Sequence, residues 1–337
     1  MTFGHYLAEL RQARGLSQRQ LAEALQVSRQ TIIALEHNHH APSFDLAVRI
    51  ARLFDISLDG MAQALAASGS SNPQPFPGSP DVTGFLPVVW SRVGSRLVVV
   101  PLDLLASQTD ADALWDPGTG QLQPLPGARA PDQVILAGGC DPFHHWLAAS
   151  FHQLSPTLFL ETVHLSSLRA LEAFNQGWLH VAGTHLYDDA LGSYNPDHLV
   201  RQPHIRIPYL RWEEGLICQP HATRITHVAI REPGSEAHAL YQRCRSHVPH
   251  AVDVFSSHGS ILEAVSRRSE WAGISLGPLA ALKGLSFEPW AEESYDLWVH
   301  RDAVPPHWVE VLLAATQSDW LASRFRALKH LRLASAC

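Results

Sequence analysis

The chain has 337 residues, 46% hydrophobic and 17% charged, a composition that fits two or three globular domains and excludes a fibrous or wholly disordered protein. The net charge is −7, but residues 1–66 carry six arginines and six acidic residues, so the acidic excess belongs to the remainder. A neutral small domain can bind DNA if its arginines share one face, whereas an acidic remainder is repelled by phosphates.

The cysteines and the N-terminus indicate a cytoplasmic location. The four cysteines are scattered and form no C-x-x-C pair, which favours reduced thiols over a disulfide framework or a zinc ribbon. The N-terminus carries charges where a secretory signal needs an apolar core, and no apolar run approaches the roughly 20 residues of a membrane span. We therefore expect no membrane association.

Apolar residues recur at helical spacing through residues 7–66 and predict a compact all-helical unit. The first helix is expected to end at Gly15, and four more are expected to follow the N-cap residues Ser17, Ser28, Ser43 and Ser57. Gln20, three residues after Ser17, completes a capping box. Arg11 and Glu36 are placed to pair across this unit.

The stretch "LSQRQLAEALQVSRQTIIALE" predicts two helices joined by a tight turn, as in a helix-turn-helix. Polar residues at the start of the second helix of such a motif reach base edges, and Gln and Arg can make bidentate contacts with purines. A solvated polar face of an ordinary helical bundle is the alternative. The residues assigned to DNA binding, to bases or to phosphates, are Gln18, Ser28, Arg29, Gln30, Thr31, Ala34 and Asn38.

Residues 3–65 resemble the phage lambda-repressor/Cro-like (XRE) helix-turn-helix family. The resemblance is carried by Arg11 and by "GLSQ", "LAEAL", "VSRQTI", "LE", "PS" and "LAVRIARLFDISLD". It implies a five-helix domain, residues 1–66, that reads major-groove half-sites, usually as a dimer. The chain departs from the family after Glu36, where "HNHH" replaces a glycine or basic turn and makes the local charge depend on pH. A solvated loop is favoured there over a metal site.

The rest of the chain predicts a different architecture. Residues 67–81, rich in Ser, Gly and Pro, are expected to be a linker. Residues 82–132 are expected to be a small β connector with two strands around Val93-Gly94-Ser95. From residue 133 strands alternate with helices, which predicts an α/β domain with a largely parallel sheet and a C-terminal helix from about 306 to 330.

Five turns at the ends of predicted strands are candidate ligand contacts, because ligands bind at strand ends in α/β domains. They lie in "AGGCDP", "VHLSSLRAL", "AGTHLYD", "REPGSEAHAL" and "SSHGSILEAV", and their N–H groups and hydroxyls can bind an anion. Helix capping is favoured for Asp141 and is an alternative for the serines, and the histidines can be hydrogen-bonded core residues. The candidates in these turns are Asp141, Ser166, Ser167, Thr184, His185, Ser235 and His258.

Residues 133–300 resemble the PBP-like domain family, which is related to periplasmic molybdate-binding proteins and is fused to a DNA-binding domain in some members. The resemblance is carried by the order of "GCDP", "SSLRALEAFNQGWLHVAGTHL", "YNP", "RWEEGL", "REPGS", "SHGSILEAV" and "GISLGPLA". It implies a type-II periplasmic-binding-protein fold over 133–337, with a second lobe at roughly 212–285. The implied ligand is an oxyanion such as molybdate or tungstate, or a molybdenum-cofactor-related compound. The resemblance also implies a ligand contact at Arg211 of "RWEEGL", where the family pattern has a polar residue.

The family pattern "GSGTR" is "GSEAH" at 234–238 in this chain, and the acidic residue there weakens the case for an oxyanion. The adjacent acids Glu213 and Glu214 face opposite sides of a strand and do not predict an acid/base pair. No G-x-S-x-G, H-E-x-x-H, P-loop or G-x-G-x-x-G motif occurs, so we expect no enzyme.

Together these features predict a multidomain protein, with an all-α five-helix domain followed by an α/β two-lobed domain. The expected function is a ligand-responsive transcriptional regulator that binds double-stranded operator DNA as a homodimer and a small molecule or oxyanion in an interlobe cleft. No cofactor is expected beyond a bound oxyanion. The alternative is a regulator whose C-terminal domain takes no ligand and serves dimerisation or partner binding.

Overall fold

The computed structural model describes residues 3–36, 42–54, 56, 58, 73–248 and 251–334, and the chain divides into the units Met1–Asn72 and Pro73–Cys337. In the described residues, every helix is too short or too polar to cross a membrane.

The first unit contains the predicted helices α1 (Phe3–Ala13), α2 (Gln18–Ala24), α3 (Arg29–Glu36) and α4 (Phe44–Phe54). The capping box is present, since Ser17 Oγ accepts the N–H of Gln20 while Gln20 Oε1 accepts the N–H of Ser17. The Ser28 and Ser43 hydroxyls also accept a backbone N–H and so cap α3 and α4. The fifth helix predicted after Ser57, apart from Leu58, lies outside the described residues, as do Asn38 and the histidines around it.

An ion pair fixes α3 against α1. Arg11 Nε lies 2.6 Å from Glu36 Oε1, with only 14% and 6% of the two side chains exposed. Arg11 Nη1 also donates to the carbonyl oxygen of Leu16, 2.9 Å away, in the turn before α2. This pairing was predicted from the sequence. Below it lies an apolar core of Leu7, Leu21, Ala22, Leu25, Ile32, Leu35, Leu46, Ile50 and Phe54.

The second unit opens with a five-stranded sheet in the order β1-β3-β2-β4-β5. The strands are β1 (Gln74–Pro75), β2 (Leu86–Val93), β3 (Arg96–Pro101), β4 (Ala113–Trp115) and β5 (Leu122–Pro124). The predicted pair of strands around Gly94 is present, and Gly94 has a φ of +60° at the turn.

The predicted linker, 67–81, extends too far. Its residues 74–75 form β1, and Phe76 is only 2% exposed. The free energy gained by burying this phenylalanine outweighs the tendency of a Pro-, Ser- and Gly-rich segment to remain a flexible linker. The predicted connector is also part of the larger domain, because Val89 and Val98 share a core with Val134.

The main sheet has the order β13-β12-β14-β11-β15-β8-β6-β7, with β16 paired to β11 and a separate β9–β10 hairpin. Its strands are β6 (Val134–Gly139), β7 (Phe159–His164), β8 (Val181–Thr184), β9 (Tyr187–Asp188), β10 (Ser193–Tyr194), β11 (His204–Cys218), β12 (His227–Arg231), β13 (Ala251–Phe255), β14 (Trp271–Leu276), β15 (Ser286–His300) and β16 (Leu331–Leu333).

The helices of this unit are α5 (His144–Leu154), α6 (Ser167–Asn175), α7 (Glu236–Cys244), α8 (His258–Arg267), α9 (Gly277–Leu282), α10 (Pro306–Thr316) and α11 (Asp319–Phe325). The single C-terminal helix predicted for 306–330 is therefore wrong. It is interrupted at Ser318, whose side chain accepts the N–H of Leu321 and caps α11.

Two long antiparallel strands connect two lobes. Strand β15 pairs with β8 of the first lobe at 296–299, and β11 pairs with β14 of the second lobe at 214–218. Each lobe has its own parallel strands, β6–β8 and β12–β14. The sheet is therefore mixed rather than largely parallel, because the strands that cross between the lobes run antiparallel to each other.

The first lobe packs closely around Tyr295 of β15, which is 3% exposed. A Cβ atom added to Gly183 would lie 2.0 Å from the Tyr295 hydroxyl oxygen, and one added to Gly139 would lie 2.1 Å from it. The hydroxyl is hydrogen-bonded to the backbone of Cys140 and Asp141, which holds the ring in place. Both positions therefore require glycine.

We expect Gly183→Ala to lower the free energy of unfolding of the second unit by about 1–3 kcal/mol, the usual effect of overpacking. All ten tryptophans lie in residues 90–320, so tryptophan fluorescence in urea follows this unit alone. The control is Gly259→Ala in α8, where the nearest atom is Ser257 Oγ at 3.7 Å and alanine should be neutral or stabilising. An unchanged urea midpoint for Gly183→Ala would contradict this packing.

Candidate functional site

A cluster of ionisable side chains lies where the two long strands pass between the lobes. Glu214 of β11 and Glu293 of β15 are both 0% exposed, and His185, directly after β8, is 3% exposed. Cys140, directly after β6, contacts the same histidine. The strand register places these groups together, since Trp212 lies opposite Glu293 across the β11–β15 ladder.

Glu293 is held by hydrogen bonds. Its Oε2 accepts from His185 Nδ1 at 2.6 Å and from Trp212 Nε1 at 2.9 Å, and the Tyr194 hydroxyl lies 3.5 Å from Oε1. Burial works against ionisation of Glu293, but the charge and hydrogen bond of His185 and the indole N–H lower its pKa below the usual value. Glu293 is therefore the ionised member of the cluster.

His185 uses both ring nitrogens. Its Nδ1 faces Glu293, and its Nε2 lies 3.2 Å from Cys140 Sγ. Burial lowers the pKa of His185, but Cys140 and Glu293 outweigh burial and raise it well above the ordinary value. The pair formed by His185 and Glu293 is therefore an imidazolium–carboxylate pair.

Glu214 lacks a comparable partner. Neither of its carboxylate oxygens accepts a hydrogen bond from an N–H group or a hydroxyl in the described part of the chain. The nearest ring nitrogen is His258 Nε2, 3.9 Å from Oε1. Burial and the charge of Glu293 raise the pKa of Glu214 well above its usual value. Burial and the neighbouring Glu293 charge therefore favour the neutral form of Glu214.

Charged residues of the second lobe surround this cluster. Arg231, 2% exposed, makes a bidentate pair with Glu232, with N···O distances of 2.7 and 2.8 Å. Glu236 lies 2.6 Å from Arg243 and accepts the N–H of Tyr187 at 3.2 Å. The last bond crosses from the first lobe to the start of α7, so the acidic residue of "GSEAH" joins the two lobes.

The structure brings several predicted ligand residues to this place. His185 and His258 both face Glu214 or Glu293, and the Ser167 hydroxyl accepts the N–H of His185 at 3.2 Å. Ser235 caps α7 and also donates to the Glu232 carbonyl. Helix capping was the alternative to a ligand contact that the sequence left open for this serine. Ser166 occupies the N-cap position of α6 and is 7% exposed.

Two other predicted ligand residues have different surroundings. Thr184 donates to Asn195 Oδ1 and accepts from Trp298 Nε1, both at 2.8 Å, so its hydroxyl is fully used in the interior. The Arg211 side chain is 46% exposed and lies 3.7 Å from Glu292. Side chains alternate along β11, so Arg211 is on the face opposite Trp212 and away from the cluster.

Asp141 was expected to cap a helix, and its Oδ1 accepts the N–H of Phe143, 2.7 Å away, at the turn into α5. It is 6% exposed. Burial raises the pKa of Asp141 to about 7, although the Phe143 N–H opposes that shift. This carboxyl therefore favours its neutral form in the folded chain.

We expect Asp141→Asn to flatten the pH dependence of stability. The folded pKa of Asp141 is raised to about 7 from 3.8, so the folded state binds the proton more tightly and its free energy of unfolding falls as pH rises between these values. Asparagine keeps the oxygen that accepts from Phe143 but cannot ionise. Urea unfolding at about pH 5 and pH 8 should show the wild type losing a few kcal/mol more than the variant. Equal losses would exclude a raised pKa at Asp141.

The sequence did not predict Glu214 and Glu293 as site residues. Adjacent Glu213 and Glu214 do face opposite sides of β11, as expected, but Glu214 acquires its acidic neighbour from β15, 79 positions along the chain. The signal available was the alternation in "LRWEEGL", which places Trp212 and Glu214 on one face.

The start of α3 presents the predicted DNA-binding residues of the first unit. Arg29 and Gln30 are exposed, while Thr31 and Ala34 are half-buried. Ser28 Oγ accepts the N–H of Thr31 at 3.0 Å and is 2.8 Å from its hydroxyl. Gln18 Nε2 donates to Glu36 Oε2 at 2.7 Å, which ties α2 to the Arg11–Glu36 pair.

Comparison with known proteins gives two family matches. A helix-turn-helix model matches residues 7–61, and a PBP superfamily domain model matches residues 148–317. An uncharacterized HTH-type transcriptional regulator of Methanothermobacter thermautotrophicus is 54% identical over 46 residues, 14% of this chain and 67% of that protein. Another, from Methanocaldococcus jannaschii, is 48% identical over 44 residues, 13% of this chain and 67% of that protein.

Solved structures similar to the second unit include binding proteins and regulatory domains. A putative phosphate ABC transporter substrate-binding protein from Clostridium perfringens, with bound phosphate, has 10% identity and a TM-score of 0.47, covering 60% of this chain and 100% of its own. The CcmR regulatory domain of Synechocystis in complex with 2-PG has 12% identity and a TM-score of 0.43, covering 55% and 98%.

Proposed function

We propose that this chain, which belongs to the PBP superfamily and carries a helix-turn-helix at its N-terminus, is a ligand-responsive transcriptional regulator. The first unit binds double-stranded operator DNA, and the second binds an effector between its lobes. The protein acts in the cytoplasm as a homodimer, whose two helix-turn-helix units read paired half-sites, and it has no catalytic role.

The DNA-binding part of the proposal is supported by the surface at the start of α3. Arg29 and Gln30 are exposed in its first turn, where side chains of a helix-turn-helix reach base edges. The Ser28 cap and the Arg11–Glu36 ion pair hold this helix in a fixed position. Ser28 and the first N–H groups of the helix are proposed to contact phosphate oxygens, as is Gln18 through the amide hydrogen that it does not donate to Glu36.

The single observation that carries the sensor proposal is the buried charged cluster at the lobe junction. His185 comes from the first lobe, His258 from the second, and Glu214 and Glu293 from the strands between them. An effector bound there would stabilise one relative position of the lobes by its differential affinity, and DNA binding would respond to that position.

The charge of this cluster bears on the effector class. Molybdate or tungstate would have to approach Glu214, Glu236 and Glu293, while the buried Arg231 is already paired with Glu232. This arrangement favours a cationic or neutral effector over an oxyanion. The near-complete burial of the same side chains favours, as the second candidate, a domain that takes no ligand and serves dimerisation.

Two measurements separate these ligand classes. Calorimetry of the full chain with molybdate, tungstate and sulfate should give no binding heat, and binding of any of them would overturn the charge argument. Native mass spectrometry of protein purified from its own host should show a dimer with a retained small ligand. A dimer without ligand, together with no thermal shift for any added cation or neutral metabolite, would favour the ligand-free alternative.

We expect Gln30→Ala to weaken binding to the selected operator by roughly 10- to 100-fold, because one bidentate base contact contributes about 1–3 kcal/mol of discrimination. Ser28→Ala should weaken binding to all sequences similarly, because it removes a cap and a phosphate donor. Fluorescence anisotropy with operator and scrambled duplexes at fixed salt measures both. Gln12→Ala, an exposed glutamine of α1, is the control and should leave both affinities unchanged. Unchanged discrimination between operator and scrambled duplex in Gln30→Ala would contradict the assignment.

A further inference from the structure

We propose that His185, Glu214 and Glu293 bind a divalent transition-metal cation, represented by Zn²⁺, at the lobe junction. The ligand atoms, one imidazole nitrogen and one oxygen from each carboxylate, all lie within 4.8 Å of one another. Histidine and carboxylate ligands are a donor set that Zn²⁺ uses in proteins. This inference rests on the proposed function, because it names a ligand for the interlobe site.

The main observation is the buried, unpartnered carboxylate of Glu214. It is 0% exposed, and neither oxygen accepts a hydrogen bond from an N–H group or a hydroxyl in the described residues. A buried carboxylate without such a partner costs several kcal/mol unless it is neutralised. Its nearest acidic neighbour, Glu293, lies in the same cluster. A divalent cation between the two carboxylates would balance the charge of both.

The cluster needs little rearrangement to accept the ion. His185 Nδ1 and Glu293 Oε2 are 2.6 Å apart, whereas two ligands at about 2.0–2.1 Å from a tetrahedral Zn²⁺ are separated by roughly 3.3 Å. A displacement of less than about 1 Å therefore opens the pair. His258 Nε2, 3.9 Å from Glu214 Oε1, is near enough to be a fourth ligand after a small movement.

Neighbouring groups already orient these ligands. Trp212 Nε1 donates to Glu293 at 2.9 Å, the second nitrogen of His185 lies 3.2 Å from Cys140 Sγ, and His258 Nδ1 lies 3.1 Å from Ser275 Oγ. Such outer contacts fix the direction of ligating side chains and are a usual feature of metal sites.

The burial and charge of the cluster favour a metal ion over an organic cation. Glu214 and Glu293 are 0% exposed and His185 is 3% exposed, so an amine or guanidinium with its carbon skeleton would have to push the lobes apart. A dehydrated ion has no such bulk. Two carboxylates with a neutral imidazole carry a charge of −2, which a divalent cation balances.

The positions of the ligands connect metal binding to lobe position. Glu214 and Glu293 lie on β11 and β15, which cross between the lobes, and His185 lies on the loop after β8. The same loop leads to Tyr187, whose N–H reaches Glu236 of the second lobe. An ion held by these three residues would fix that loop to the crossing strands and so favour the relative position of the lobes in which the three ligands meet.

The test is calorimetry of the EDTA-treated full chain with ZnCl₂ and MnCl₂ in two buffers of different ionisation enthalpy. One tight site per chain is expected, with protons released on binding and affinity falling as pH is lowered. Glu214→Gln should reduce Zn²⁺ affinity on the order of 100-fold or more. It should also fold, because the amide has nearly the shape of the protonated carboxyl, and tryptophan fluorescence in urea checks this.

The alternating faces of the two strands provide matched controls. Glu213→Gln changes the residue next to Glu214 on β11, and the Glu213 side chain is 36% exposed and paired with His330. Glu292→Gln likewise changes the residue next to Glu293 on β15. Both should leave the tight site intact, while Glu293→Gln should remove it. These controls also identify adventitious binding, since the chain has 21 histidines.

Absence of a tight site in the wild type, or equal affinity in folded Glu214→Gln, would overturn the proposal. So would an organic cation that is retained by the wild type, is lost in Glu214→Gln and is not displaced by Zn²⁺. Operator affinity of the same preparations separates this failure from failure of the regulator proposal, because DNA binding by the first unit does not require the metal site.

Discussion

The burial of two carboxylates at one place is the constraint on which the second unit depends. Glu214 and Glu293 lie on adjacent long strands with no solvent contact, and a low-dielectric interior disfavours two negative charges there. One charge is balanced by His185 and oriented by Trp212, while the other requires a proton or a cation. Apolar side chains of similar volume are often as stable or more stable at such a place, which supports the proposed ligand-dependent role of the cluster.

The fold could be predicted to different degrees in the two units. In the first unit the signals are local: helical periodicity, and the cap residues Ser17, Ser28 and Ser43. The helices begin directly after these caps. In the second, the existence of the strands was largely predictable, but the sheet was expected to be largely parallel and is mixed. Pairing depends on residues far apart in the chain, which local patterns do not specify.

The candidate site shows the same division. His185, His258 and Ser167 lie at strand ends or helix starts, and their type and position were sufficient to predict that they lie near one another. Glu214 and Glu293 lie within strands, and only the register of β11 against β15 brings them together. Arg211 was expected from the family pattern, whereas the alternation of side chains through Trp212 places it on the opposite face of β11. Similarly, burial of Phe76 makes the end of the expected linker part of a core.

Control of DNA binding by the lobe junction can be measured as the affinity of the full chain for an operator selected from random duplexes. The affinity is compared with EDTA and with Zn²⁺ for the wild type, Glu214→Gln and Glu213→Gln. We expect a metal-dependent change of roughly tenfold or more, a coupling of about 1–3 kcal/mol, in the wild type and Glu213→Gln and none in Glu214→Gln. The same operator affinity in all three proteins, with and without metal, would contradict it.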